Sequence, residues 1–181
     1  MRTAAVVPAA GRGERLGPGA PKALREIAGQ PLLVHAVRAL AEARAVDIVV
    51  VAAPIGEQTS VRRLLDPVVA DTELMVVTGG ETRQQSVALA LRVLPDDVDV
   101  VLVHDAARPL VPSETVDAVA TSVRNGSDAV VPGLAIVDTI KRVDAAGRVE
   151  ETVDRASLWA AQTPQGFARI VLEAAHRAAV D

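Results

Sequence analysis

The 181-residue sequence contains no cysteine, which excludes disulfides, thiolate nucleophiles and cysteine-ligated zinc. Its Phe, Tyr and Trp content is limited to Trp159 and Phe167, so the aromatic platforms on which single-stranded nucleic acids stack are missing. Basic charge is not in excess: 19 Lys and Arg against 23 Asp and Glu leave a net charge of -4. That balance gives no general attraction to nucleic acid or to an acidic membrane. No apolar stretch approaches the roughly 20 residues of a spanning helix. The short apolar run between Arg2 and Gly11 is too small for a signal peptide. The expectation is a cytoplasmic protein with neither nucleic acid nor membrane as partner.

Half of the residues are apolar, and a chain of this length suits one domain that buries about 70% of its unfolded surface. Short runs rich in Val and Ile, at Ala4–Val7, Asp47–Ala52, Leu74–Thr78 and Val98–Val103, read as strands. Their apolar character is continuous and not alternating, which points to a parallel sheet covered on both faces. Pro31 to Glu42 sets Leu33, Val37 and Leu40 on one helical face, opposite His35, Arg38 and Glu42. Thr82 to Leu94 and Ser113 to Asn125 read as further helices, the latter capped by Ser113 and closed by Gly126. This alternation predicts a doubly wound, mostly parallel α/β sheet with helices on both faces, whose ligands sit beyond the carboxyl ends of the strands.

From Ile136 to Thr152 the rhythm breaks: "DTIKRV" and "RVEETV" flank the turn "DAAG" and read as a projecting β-hairpin. Such an insertion either covers a neighbour as a dimer arm or meanders over the surface.

Three loops after strands carry the candidate chemistry. In "VPAAGRGERLGPGAPKAL", Gly11, Gly13 and Gly17 miss the dinucleotide spacing by one residue, and Pro18 and Pro21 forbid the helix that fingerprint requires. Lys22 lacks the Gly before it and the Ser or Thr after it of a Walker loop. What remains is a basic, glycine-rich loop whose backbone N–H groups and Arg12, Arg15 and Lys22 can wrap a polyphosphate. Its glycines and mutually repelling cations predict that it is disordered without ligand.

In "VLVHDAARPLV", Asp105 ends a strand, where it can hold Mg²⁺ or a substrate hydroxyl, or pair with Arg108. His104 reads as a packed, hydrogen-bonded histidine and not as a base. In "TGGETRQQS", Gly79 and Gly80 let a ligand approach the backbone, and Glu81, Arg83 and Ser86 are placed to read a nucleobase edge.

Taken in order, "PAAGRGERLG…PK", "GGETRQQSV", "LVHDAARPLV", "DTIK" and "TVDRASLWAAQTPQGF" resemble the 2-C-methyl-D-erythritol 4-phosphate cytidylyltransferase family along nearly the whole chain. The resemblance implies a Rossmann-like nucleotidyltransferase domain. It would join CTP to methylerythritol phosphate with Mg²⁺, releasing pyrophosphate, in non-mevalonate isoprenoid synthesis. By the family pattern, Arg15 and Lys22 stabilise the triphosphate in the transition state. Ala9, Ala10, Gly11, Gly80, Glu81, Ser86 and Ala106 cradle CTP, with Ser86 and Gly80 at the cytosine. Asp105 matches the acid beside metal and substrate. Thr139 and Arg155 match residues that grip the sugar phosphate of the partner subunit, which makes 136–155 a dimerisation arm and the protein a homodimer. The family pattern also has a C-terminal segment, with an acid-containing helix, a strand and a lysine, that this sequence does not include. Ribitol-phosphate cytidylyltransferases share the glycine loop, the His-Asp pair and "QTPQ", but "HDAARP", "DTIK" and "TVDRASLW" look like the methylerythritol branch. A non-catalytic nucleotide-binding module is the remaining alternative, and the presence of Arg15, Lys22 and Asp105 argues against it.

Overall fold

The computed structural model describes residues 1–11, 21–69 and 71–179. The first strand, β1 (Arg2–Pro8), is buried along its length, and a single 3-10 turn at Lys22–Leu24 follows. A minimal hairpin, β2 (Glu26–Ile27) with β3 (Gln30–Pro31), then leads into α1 (Leu32–Ala41). Next come β4 (Ile48–Ala53), α2 (Gln58–Leu65), β5 (Glu73–Thr78), α3 (Arg83–Leu91), β6 (Val98–Val103) and α4 (Ser113–Arg124). After α4 the strands shorten: β7 (Ala129–Val130), β8 (Gly133–Ala135), β9 (Ile140–Val143), β10 (Val149–Val153), β11 (Trp159–Ala161) and β12 (Gln165–Ala168) precede α5 (Arg169–Ala178).

The central sheet runs in the order β5-β4-β1-β6-β12-β7. The first four are parallel, with Val6 opposite both Val50 and Val103, and β12 is antiparallel to β6 and β7. Successive side chains leave a strand on opposite faces. Ala5, Val7, Val49, Val51 and Leu102 therefore meet α1, α2 and α4 on one side. Ala4, Val6, Ile48, Val50 and Val101 meet α3 and α5 on the other. Both faces are covered, which is why these strands carry no polar alternation. The expected doubly wound sheet is observed. The fully buried Val and Leu side chains that fill it each contribute about 1.5–3 kcal/mol.

Some boundaries differ from the sequence reading. Strand β4 begins one residue later than expected, because the Asp47 carboxylate turns to accept from Thr3 N–H at 2.8 Å. Helix α3 stops at Leu91, and its start is set by a reciprocal capping box between Thr82 and Gln85. Ser113 is not the cap of α4: Pro112 occupies that position with no side-chain bond, and Ser113 is already helical. Helix α2 is absent from the sequence reading because it buries only Val61 and Leu65, too narrow a stripe to stand out. Strands β7, β8, β11 and β12 are absent from it because each has four residues or fewer.

A hairpin is present in the 136–155 stretch as β9 and β10, paired in a two-stranded sheet apart from the central one. Its turn is closed by the Asp144 carboxylate, which accepts from the N–H groups of Ala146 and Arg148 at 2.9 Å each. Hydrogen bonds from Arg148, backbone and side chain, hold the Asp144 carboxyl below its ordinary range. Gly147 takes the positive φ of +79° that the turn requires. The chain on either side of the hairpin also pairs, β8 with β11, and forms a second two-stranded ribbon that the sequence did not suggest.

Candidate active site

In a doubly wound sheet the crevice opens where the strand order reverses, here between β1 and β6. Three loops converge on it, each tied to the neighbouring strand as it leaves the sheet. Ala9 N–H donates to Ala52 O at 2.9 Å, His104 N–H to Val6 O at 2.9 Å, and Gly79 N–H to Ala53 O at 2.7 Å. The loops touch. A Cβ on Gly79 would lie 2.4 Å from the Ala10 Cβ, so the residue must be glycine for the loops after β1 and β5 to meet.

Gly80, Glu81 and Ser86 form one hydrogen-bonded unit at the head of α3. The Ser86 hydroxyl, 2% exposed, accepts from Gly80 N–H at 3.0 Å and donates to Thr82 O at 3.0 Å. Glu81 N–H donates to Gln85 Oε1 at 2.9 Å while the Glu81 side chain remains exposed. Ala9 and Ala106 are buried beside the crevice and Gly11 is exposed.

Asp105 follows the end of β6 with its carboxylate about one-third exposed, between two guanidinium groups. Arg83 approaches Oδ1 through Nε and Nη2, both at 3.1 Å, and Arg108 Nε lies 3.6 Å from Oδ2. Arg108 also donates to Gln162 Oε1. The sequence reading gives Arg83 to a nucleobase edge, whereas its side chain binds Asp105. The pairing of Asp105 with Arg108 is one that the sequence suggests; that with Arg83, 22 residues away, has no local signal.

His104 is fully buried. Its Nδ1 lies 2.9 Å from Thr163 Oγ1 and its Nε2 3.1 Å from Arg108 O. Burial pushes its pKa below the usual 6.5, outweighing the bond to Arg108 O and the attraction of Asp105. It is a packed, hydrogen-bonded histidine, as its place in the sequence implied.

Lys22 is exposed at the start of the 3-10 turn, which buried Ala23 anchors to the core. Arg12 and Arg15, with the expected disorder of their loop, fall outside the described residues. Thr139 and Arg155 lie on the exposed arm, where the Arg155 guanidinium donates to Val137 O. Among the described residues no group of three His, Cys, Asp or Glu is placed to hold a metal ion, and no helix is long and apolar enough to cross a membrane.

A glycine turn entering a helix and a strand-end carboxylate, set beside the end of β1 at the switch point of this sheet, form the kind of crevice in which Rossmann-like α/β domains bind nucleotides. Known proteins narrow that class. The family model described as IspD, 2-C-methyl-D-erythritol 4-phosphate cytidylyltransferase, matches residues 3–181, and the chain belongs to that family of cytidylyltransferase enzymes. The protein of that name from Streptomyces avermitilis is 56% identical over 99% of this chain and 75% of its own length. The one from Saccharopolyspora erythraea is 52% identical, covering 100% of this chain and 81% of its own. The solved structure of the Thermus thermophilus protein of that name superimposes with a TM-score of 0.77 at 32% identity, over 99% of this chain and 76% of the other. That of 4-diphosphocytidyl-2C-methyl-D-erythritol synthase from Anaerococcus prevotii, 23% identical, shares the fold at a TM-score of 0.83, over 98% of this chain and 75% of the other.

Proposed function

We propose that the chain transfers CMP from CTP to 2-C-methyl-D-erythritol 4-phosphate, giving 4-diphosphocytidyl-2-C-methyl-D-erythritol and pyrophosphate, in non-mevalonate isoprenoid synthesis. The observation that carries this reading is the convergence of the loops after β1, β5 and β6 at the switch point, in a chain whose family match spans residues 3–181. A phosphate oxygen of the sugar phosphate attacks the α-phosphorus of CTP. The new P–O bond forms as the bond to the bridging β-oxygen breaks, and pyrophosphate leaves with that electron pair. A phosphate is ionised near neutral pH, so no side chain has to remove a proton. His104, with both ring nitrogens engaged, is consistent with such a reaction.

What the protein supplies is position and charge. In this reading Ala9, Ala10, Gly11 and Ala106 cradle the nucleotide, and the turn at Gly80 and Glu81, held by Ser86, meets the cytosine. Ser86 acts through the loop its hydroxyl holds. Arg15 and Lys22 neutralise the charge that builds on the triphosphate.

Magnesium belongs to the same proposal. A lone carboxylate at a strand end suits an ion that keeps most of its water and rides on phosphates, and Asp105 is the residue that would hold it. When bound, the ion neutralises phosphate charge. Because Arg83 and Arg108 face the two oxygens of that carboxylate, Asp105 would hold the ion by exchanging at least one of these guanidinium contacts for it.

Thr139 and Arg155 are assigned to the sugar phosphate bound by a partner subunit, with the arm as the dimer contact. Support comes from the arm's exposed apolar residues, Leu134, Val137 and Trp159 among them. A cytoplasmic location completes the reading. The test is pyrophosphate release from CTP and Mg²⁺ with methylerythritol phosphate or ribitol phosphate as acceptor. Release with the first alone is expected, release with the second alone would move the chain to the ribitol branch, and binding of CTP without release would make it a non-catalytic module.

A further inference from the structure

The imidazole of His104 is 0% exposed, and a neutral ring satisfies the contacts at both nitrogens with one arrangement of protons. The Arg108 carbonyl, 3.1 Å from Nε2, can only accept, so Nε2 carries the hydrogen. In the neutral ring Nδ1 is then a bare acceptor, and the Thr163 hydroxyl 2.9 Å away must donate to it. With its hydrogen committed, Thr163 Oγ1 offers a lone pair to Asp105 N–H at 3.3 Å. Arg108 N–H returns to Asp105 O at 2.9 Å and closes the turn. One chain of bonds therefore runs from Asp105 N–H through Thr163 and His104 to Arg108 C=O. It pins both ends of the turn from which the Asp105 and Arg108 side chains emerge.

The location of this chain matters as much as its direction. Strand β6 borders the crevice: β1, β4 and β5 lie on one side of it, and β12, preceded by Gln162 and Thr163, lies on the other. We propose that His104, acting through Thr163, is a positioning residue that holds Asp105 and Arg108 as the acceptor-side wall of the crevice. It touches no reacting atom. The proposal rests on the reaction assigned above for its kinetic readout, and its structural readout is independent of that reaction.

The tests use the full chain. Histidine-labelled protein, with three histidines to assign, should show His104 protonated at Nε2 and bare at Nδ1 in long-range proton–nitrogen correlation spectra. Thr163→Val removes the hydroxyl at nearly constant volume, and His104→Asn keeps an acceptor toward Thr163 while losing the donor to Arg108. Each should lower kcat/KM for the sugar phosphate about tenfold, the effect of losing one buried hydrogen bond, with KM for CTP within about twofold. Thr163→Ser, which retains the hydroxyl, should restore most of the loss. Amide exchange at Asp105 should quicken in Thr163→Val and not in Thr163→Ser.

A proton on Nδ1 overturns the proposal. So does wild-type kcat/KM in Thr163→Val, or an equal loss toward both substrates accompanied by loss of folded protein. If the unsubstituted chain turns over no sugar phosphate, the assigned reaction fails. The Asp105 amide then decides alone, and unchanged exchange in Thr163→Val rejects the positioning role.

Discussion

The central sheet and the arm are built from the same kinds of residue and treat them in opposite ways. Val6, Val50, Val51 and Leu102 in the sheet are wholly shielded from solvent. In the arm Leu134 is 63% exposed, Val137 78%, Val149 62% and Trp159 65%. A two-stranded ribbon has no second layer to cover its apolar side, so these residues gain little from folding in one chain. In the homodimer proposed above a partner subunit would cover them, and their exposure in the single chain is what supports that proposal. The sheet supplies the stability of the single chain, and the arm supplies a surface.

The largest expected effect leaves both regions intact. Lys22→Ala should abolish pyrophosphate release, raising the barrier by about 3 kcal/mol or more as for a lost oxyanion donor, with unchanged circular dichroism and melting temperature. Turnover near the wild-type rate would remove Lys22 from the mechanism. Leu102→Ala, in the sheet, should cost about 2–5 kcal/mol of stability, read from urea midpoints. A cost below about 1 kcal/mol, well under the usual range for such a truncation, would mean that the core repacks as freely as the arm.

The paired change Leu134→Ser and Trp159→Ser tests the other half of the contrast. It should shift sedimentation from dimer toward monomer while moving the stability of the single chain by no more than about 0.5 kcal/mol, the usual scale for an exposed site. A stability loss comparable to that of Leu102→Ala would show that the arm packs within its own chain. The smallest effect concerns acid. His104 has its folded pKa pushed below 6.5 by burial, so below that pH the unfolded chain takes up a proton that the folded chain refuses. Its contribution to stability is fully present above about pH 6.5 and is lost as pH falls toward the folded value. Melting temperatures measured between about pH 7.5 and 5, the range that brackets an ordinary histidine, should decline, and less steeply in His104→Asn.

The parallel sheet was legible because continuous Val and Ile runs have few other ways to be satisfied. The loops after β1, β5 and β6 were legible because strand ends are where such folds bind ligands, and glycine and charge cluster there. Ser113 misled because a serine before a helix and a serine inside its first turn look alike in sequence, and only the backbone angles of Pro112 separate them.

By itself the sequence determined the alternation of elements, the family and the three loops, all of which follow from local pattern and composition. Only the tertiary structure decided that Arg83 belongs to Asp105, that Thr163 lies beneath the same residue, and that His104 binds through both ring nitrogens. The bonds that Arg83 and Thr163 make there span 22 to 59 residues of chain. They depend on β12 entering antiparallel beside β6 and on α3 carrying Arg83 to the crevice, where strand order, not sequence distance, decides which side chains meet.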